Sequence, residues 1–141
     1  MNRRASAIWQ GGIKDGRGTI STQSGVLANT QYSFAARFEN GVGTNPEELI
    51  AAAHAGCFSM ALAGQLGAAG LTAESINTAA AVTIQKTEAG FTITASHLDV
   101  KAKVPGASPE AFASAATAAK EGCPVSKVLN ARITMDARLE F

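Results

Sequence analysis

The sequence has almost no net charge and no run of basic residues. Its 12 lysines and arginines stand against 11 aspartates and glutamates, which gives a formal net charge of +1. Proteins that bind nucleic acid or acidic membrane surfaces usually concentrate basic residues in one patch. We therefore expect neither kind of partner. The N-terminal residues also lack the apolar core of a signal peptide, so a cytoplasmic protein is expected.

The sequence also lacks the motifs of several common binding sites. No glycine-rich segment matches a phosphate-binding loop, and no Cys-x-x-Cys pair supports a zinc site. There are only two cysteines, Cys57 and Cys123. In a cytoplasmic protein, two such residues are more often catalytic or redox-active thiols than a permanent disulfide.

Apolar residues, by contrast, are plentiful. They make up 46% of the 141 residues, which is enough for one domain, residues 1–141, with its own core. The longest apolar segment follows Asn45, a suitable N-cap for a helix over residues 46–68, with Pro46 at the first helical position. Almost no charge occurs between residues 50 and 70, so we expect a buried helix rather than a membrane span.

Alternating apolar and polar residues predict strands on both sides of this helix. Before it, strands over residues 5–10, 18–22 and 31–38 fit an antiparallel meander. After it, we expect strands over 79–86 and 91–104, with a bulge near Ser96 and His97. A helix over 109–120, a short helix after Cys123 and a strand over 132–141 with Phe141 facing inward complete the chain. This order predicts an α+β fold, not a doubly wound parallel sheet.

The two cysteines occupy different kinds of position. Cys123 precedes Pro124 at a helix start, where the helix dipole favours a thiolate. Cys57 lies in the middle of the long helix and would need a nearby cation to become reactive, and Arg37 is the candidate. Without such a cation, Cys57 would be a small apolar core residue.

Glu47, at the start of the long helix, is the acid that could orient Arg37 beside Cys57. It precedes Cys57 by ten residues, which is about 15 Å along a helix. One side chain does not span that distance, so the glutamate would have to reach the thiol of a second chain. This arithmetic predicts a homodimer with two such helices packed across a two-fold axis.

The two histidines leave alternatives open. His54 precedes Cys57 by three residues and could pair with it, although a core or interface hydrogen bond is the commoner role for such a histidine. A four-ligand zinc site is a further alternative, although the sequence pattern for it is weak. Its ligands would be His54, Cys57, His97 and Cys123.

Two segments around the cysteines form specific motifs. The first is Gly43-Thr44-Asn45-Pro46-Glu47-Glu48-Leu49 followed by Ala52-Ala53-His54-Ala55-Gly56-Cys57-Phe58, and the second is Gly122-Cys123-Pro124-Val125-Ser126-Lys127-Val128. Both resemble the cysteine motifs of the OsmC/Ohr thiol peroxidases. The N-terminal segment, from Trp9 to Leu27, is more similar to the OsmC branch (osmotically inducible protein C) than to the Ohr branch. The resemblance extends over nearly the whole chain.

The resemblance implies an intertwined homodimer in which antiparallel sheets enclose two long central helices. It implies that Cys57 is the peroxidatic cysteine and Cys123 the resolving one, and that Arg37 and Glu47 activate Cys57. Arg17 is the alternative candidate for the activating arginine, because the corresponding arginine of Ohr-branch proteins lies in a loop near the N-terminus.

The reaction that the resemblance implies is the reduction of organic hydroperoxides, and more weakly of hydrogen peroxide, to alcohols. It would proceed through Cys57 sulfenic acid and a Cys57–Cys123 disulfide. No metal, haem or flavin is expected, but an external dithiol reductant is, with a lipoylated protein as the candidate. Phe58 and Met60, close to Cys57 in sequence, suggest an apolar pocket for the organic group.

Two other functions could use the same residues. One is a redox-sensing or zinc-binding protein, and the other is a dimer that binds an apolar ligand and keeps Cys57 in its core. A disulfide between Cys57 and Cys123 that forms with peroxide and turns over would distinguish the peroxidase from both.

Overall fold

The computed structural model describes all residues, 1–141, and its backbone divides into two compact units, residues 1–49 and residues 50–141. The expectation of a single domain stays a prediction. The elements in chain order are β1 (Ala5–Gln10), β2 (Arg17–Thr22), β3 (Thr30–Tyr32), α1 (Phe34–Phe38), α2 (Pro46–Ala68), β4 (Ser75–Thr87), β5 (Gly90–Lys103), α3 (Pro109–Gly122), α4 (Pro124–Val128) and β6 (Arg132–Glu140).

In the first unit, β1, β2 and β3 form the predicted antiparallel meander. The predicted strand over residues 31–38 is wrong, because β3 ends at Tyr32 and a helical turn, α1, follows. Ser33 caps this turn, its hydroxyl accepting a hydrogen bond from the Ala36 N–H at 3.1 Å. Phe34 and Phe38 are four residues apart, so they also fit one helix face, and their ring centroids lie 4.9 Å apart.

The start of α2 is fixed by the loop before it. Gly43 has a φ of 112°, and a Cβ there would lie 2.3 Å from the carbonyl oxygen of Gln31, so only glycine fits. Asn45 is the predicted N-cap, because its side-chain oxygen accepts from the Glu48 N–H at 2.8 Å. The Thr44 hydroxyl donates to the Glu48 carboxylate at 2.8 Å. The sequence-based start of this helix is confirmed.

In the second unit, β4, β5 and β6 form a sheet in that order. The β4–β5 hairpin is antiparallel, but β6 runs parallel to β5, so an entirely antiparallel sheet was wrongly expected. The cause is the crossover through α3 and α4, which carries the chain back before β6 begins. The α+β class is confirmed.

Two details of this sheet differ from the predictions. The bulge lies at Thr94, because Thr83 is opposite Ala95 while Ile84 is opposite Ile93. It is therefore two residues earlier than predicted. Phe141, predicted to face inward, is 93% exposed, because β6 ends with the pairing of Glu140 and Lys103.

One stripe of α2 is buried, at every fourth residue from His54 through Phe58 and Leu62 to Leu66. These apolar side chains form the core of the second unit with Leu98, Val100 and the buried face of α3. The other side of α2 is rich in alanine and glycine and is uncovered in the single chain, where Met60 is 79% exposed. By length and composition alone, α2 could also cross a membrane.

The buried stripe can be tested by shortening one of its side chains. Leu62→Ala removes a fully buried side chain, so we expect the free energy of unfolding to fall by about 2–5 kcal/mol. Urea denaturation at one fixed protein concentration measures it. The exposed Phe141→Ala is the control and should change stability by no more than about 0.5 kcal/mol. Equal losses in both variants would contradict this assignment of the core.

Candidate active site

The two cysteines, which are 66 residues apart (123 − 57) in sequence, meet in the second unit. Cys57 lies in α2 and is half-buried, whereas Cys123 is the N-cap of α4 and is fully buried. Both are free thiols, and their side chains are hydrogen-bonded to each other. The structure thus brings together the two residues that the sequence predicted to react with each other.

The two thiols differ in the direction of their pKa shifts. Burial raises the pKa of the Cys57 thiol, and the hydrogen bond with Cys123 raises it further, against a smaller opposite effect of the Val125 backbone. The predicted activation of Cys57 places Arg37 of a second chain beside the thiol, so it stays a prediction. Within one chain, the neighbours that act on this sulfur are the second thiol and one backbone group, and no cation lowers its pKa.

Cys123 shows the opposite shift. Burial by itself would raise the pKa of the Cys123 thiol, but hydrogen bonds from Cys57, from the Ser126 and Val125 backbone and from the Ser126 hydroxyl outweigh it, and the pKa is lowered. The Cys123 sulfur makes no regular N-cap hydrogen bond with α4. The N–H groups of the first turn nevertheless favour a negative charge on this sulfur. The predicted thiolate character of Cys123 is confirmed in direction.

Arg37 and Glu47 form an ion pair within the first unit. The Arg37 Nε lies 3.1 Å from both carboxylate oxygens of Glu47, and one terminal nitrogen lies 2.7 Å from Oε1. The Glu47 side chain is only 9% exposed, against 36% for Arg37. Asn45 holds the two helices together, since its amide donates to the Ala36 carbonyl at 2.9 Å. A buried carboxylate that accepts three hydrogen bonds from one guanidinium orients the arginine firmly.

Arg17, the rival arginine, is exposed at the start of β2 and makes no ion pair. Of the two arginines considered, Arg37 is therefore the one that contacts Glu47.

An aromatic pocket of about 210 Å³ lies beside Arg37 in the first unit. The rings of Trp9 and Tyr32 are 5.4 Å apart, and the Arg37 guanidinium lies 5.2 Å from the centre of the Phe38 ring. The full lining is Trp9, Ile13, Tyr32, Ser33, Phe34, Arg37, Phe38 and Pro46. Sequence reasoning missed this pocket, because the residues come from four separate elements and the loop after β1.

The apolar residues that the sequence offered for a pocket are placed elsewhere. Phe58 is fully buried in the core of the second unit, and Met60 is 79% exposed on the open side of α2. Neither lines the aromatic pocket. The reason is that the pocket is lined by residues 9–46 of the first unit, whereas Phe58 and Met60 belong to the second unit.

His54 is fully buried and makes two hydrogen bonds. Its Nδ1 lies 2.7 Å from the Ser96 hydroxyl and its Nε2 lies 2.7 Å from the Ser126 hydroxyl. Burial lowers the pKa of His54, which favours the neutral ring. Of the two roles considered, the structure gives this histidine the core hydrogen bonds.

The imagined zinc site is not assembled. His97 contacts Thr134 at 2.6 Å through Nδ1 and Asp136 at 3.2 Å through Nε2, on the outer part of the sheet. No group of three or more histidine, cysteine, aspartate or glutamate side chains is arranged to hold a metal ion.

Comparison with known proteins connects this geometry to a family. A family model described as OsmC-like protein matches residues 38–138. The chain belongs to the OsmC-like protein family. Two relatives, both called peroxiredoxin OsmC and found in Escherichia coli (strain K12) and Shigella flexneri, are each 51% identical to it over 140 residues. The alignments cover 99% of this chain and 98% of each relative, and they support the OsmC branch.

Solved structures of the OsmC-like family and its Ohr relatives share the fold. The organic hydroperoxide resistance protein OhrB of Bacillus subtilis is 27% identical, with a TM-score of 0.71 over 96% of this chain and 98% of that one. An OsmC-like protein from Mycoplasma pneumoniae has a TM-score of 0.77 at 14% identity, over 100% of this chain and 99% of that one. The fold that the resemblance implied for the single chain is thereby confirmed, and the homodimer stays a prediction.

The hydrogen bond between the thiols can be tested by titration. In Cys57→Ala, Cys123 loses the donor that stabilises its thiolate, so its pKa should rise relative to wild type. Thiolate absorbance in the ultraviolet, followed against pH, gives the midpoint. Cys57→Ser retains a hydroxyl donor, and its shift should be smaller. A midpoint that stays in place or falls in Cys57→Ala would contradict the described contact.

Proposed function

We propose that this protein is a thiol peroxidase that reduces organic hydroperoxides to alcohols with Cys57 and Cys123. The contact between the two free thiols carries the proposal, because a sulfenic acid formed on one is within reach of the other. The names of the relatives, peroxiredoxin OsmC and organic hydroperoxide resistance protein, agree with this reaction. Hydrogen peroxide is a poorer substrate in this proposal.

The reaction has two chemical steps. The Cys57 thiolate attacks the peroxide oxygen distal to the organic group, the O–O bond breaks, and the alkoxide leaves and is protonated to the alcohol. Cys57 is thereby oxidised to sulfenic acid. Cys123 then attacks the sulfenic sulfur, which forms the disulfide and releases water. An external dithiol reduces the disulfide by thiol exchange, and no metal, haem or flavin takes part.

Cys57 needs a cation for the first step, because burial raises its pKa in the single chain. We assign this role to Arg37, held by Glu47, from the partner of a homodimer. Ten residues of helix, about 15 Å, separate Glu47 from Cys57 of its own chain. The uncovered alanine- and glycine-rich side of α2 supports the dimer, since small residues let two helices approach closely and an apolar helix face requires cover.

The aromatic pocket beside Arg37 suits the organic group of the hydroperoxide. Its lining is largely apolar, and the guanidinium stands at its edge where it can stabilise charge on the departing oxygen. A lipoylated protein is the proposed reductant, and the cytoplasm the proposed compartment.

Mapping the disulfide tests the reaction. One equivalent of an organic hydroperoxide should convert the two thiols of wild type into one Cys57–Cys123 disulfide within seconds. Cys123→Ser should stop at Cys57 sulfenic acid, because the second thiol is missing. Thiol counting and peptide mapping without reductant follow both products. Two unreacted thiols after minutes of exposure would refute the proposed function.

Mixing of variants tests whether the site is shared between chains. Arg37→Met and Cys57→Ala should each be inactive as homodimers. If Arg37 acts on the partner's Cys57, refolding them together gives heterodimers with one intact site. Random assortment would then restore about a quarter of the wild-type activity in a hydroperoxide assay.

The matched control for this mixing is Cys57→Ala with Cys57→Ser, which offers no intact site in any combination and should stay inactive. Sedimentation measures the dimer in every mixture. Heterodimers that form without activity would place Arg37 and Cys57 of the same chain in one site and contradict the shared arrangement.

A further inference from the structure

A buried chain of hydrogen bonds leads from the sheet to the resolving cysteine. We propose that His54 and Ser126 are positioning residues that hold Cys123 ready as a thiolate and thereby speed the closure of the Cys57–Cys123 disulfide. This inference rests on the proposed function. It gives a part in the second chemical step to a histidine that the peroxidase mechanism above does not use.

The chain has three links and little access to water. The Ser96 hydroxyl lies 2.7 Å from His54 Nδ1, and His54 Nε2 lies 2.7 Å from the Ser126 hydroxyl. Ser126 lies three residues after Cys123, in the short helix that Cys123 caps, and its hydroxyl lowers the pKa of the Cys123 thiol. Ser96, His54 and Cys123 are all 0% exposed. In such a setting a hydrogen bond is stronger than in water, and successive bonds polarise one another.

The neutral ring of His54 makes the two ends of this chain depend on each other. A neutral imidazole has one N–H donor and one acceptor nitrogen. When Nε2 carries the proton, it donates to the Ser126 oxygen, and Ser126 is free to donate its own proton to Cys123. Nδ1 then accepts from the Ser96 hydroxyl. In the other tautomer, Ser126 donates to Nε2, and Cys123 loses that hydrogen bond.

A negative charge on Cys123 therefore favours the Nε2–H tautomer. No buried side-chain nitrogen or oxygen lacks a hydrogen-bond partner, so a change of tautomer at His54 changes the donor and acceptor roles of both serines. The lowered pKa of Cys123 agrees with a Ser126 hydroxyl that donates to sulfur. In this tautomer the Ser96 hydroxyl donates a hydrogen bond to Nδ1, and so it fixes which nitrogen of His54 is the acceptor.

This arrangement matters in the step that closes the disulfide. The Cys123 thiolate attacks the sulfenic sulfur of Cys57, the S–S bond forms and the S–O bond breaks. The hydroxide that leaves takes the proton that Cys123 had given up, so thiol and sulfenic acid yield disulfide and water without another reagent. The step is faster when the attacking sulfur is already a thiolate.

Separate measurement of the two steps tests this proposal. Stopped-flow mixing with an organic hydroperoxide resolves the formation of Cys57 sulfenic acid from the closure of the disulfide. In Ser126→Ala, closure should slow by roughly tenfold or more, the scale of a hydrogen bond to a charged group. Sulfenic acid formation should change by less than about twofold, because Ser126 has no part in it.

Further variants separate positioning from folding. His54→Leu removes the donor to Ser126 and should also slow closure alone, while Ser126→Thr retains the hydroxyl and should restore it to near the wild-type rate. His97→Gln is the matched control, because His97 also bonds a hydroxyl, that of Thr134, but has no link to the cysteines. Its closure rate should be unchanged.

The outcomes are distinguishable from those of the proposed function. If wild type forms no sulfenic acid, the peroxidase itself is refuted. If wild type reacts but Ser126→Ala and His54→Leu both close the disulfide at the wild-type rate, the positioning role is refuted. Equal slowing of both steps in folded Ser126→Ala would also refute it, because that result indicates a general structural effect.

Discussion

Along α2, every fourth residue from His54 to Leu66 is buried against the second unit, and this packing fixes the rotation of the helix. With the rotation fixed, Cys57, three residues after His54, must lie at the edge of the buried stripe, half-covered and beside Cys123. The same stripe presents His54 to its two serine partners. The thiol pair and the polar chain therefore depend on one helix–sheet contact, and its apolar area supplies the driving force.

Burial raises the pKa of both thiols, but the net shifts are opposite because their neighbours differ. Cys57 receives little compensation in the single chain, so its pKa is raised. Cys123 is more deeply buried, yet it lies at a turn whose N–H groups and hydroxyl point toward it. From exposure alone, the more deeply buried Cys123 would be expected to have the higher pKa. The hydrogen bonds to its charged form reverse that order.

The first unit holds a fixed positive charge next to a largely apolar pocket. The short helix α1 turns Arg37 toward Glu47, and the Asn45 bridge keeps the two helix ends together. An arginine with three hydrogen bonds to one carboxylate has already lost most of its conformational freedom. The proposed homodimer would bring this charge to the thiols of the partner.

The sequence by itself determined the features that depend on local chemistry. The Asn45 cap, the Pro46 start and the apolar run fixed α2 at residues 46–68, and Pro124 after Cys123 marked the start of α4. The cysteine motifs identified the family before any coordinates. These signals lie within a few residues of the feature they specify, so no long-range contact is needed to interpret them.

Only the tertiary structure decided the features that depend on distant residues. Residues 34–38 alternate like a strand but form α1, because the Ser33 cap and the Phe34–Phe38 contact favour a helical turn. The direction of β6 was set by the α3–α4 crossover, which no local pattern records. Likewise, Ser96 and Ser126 lie 42 and 72 residues from His54. Their contact arises from packing, and so sequence spacing could not reveal it.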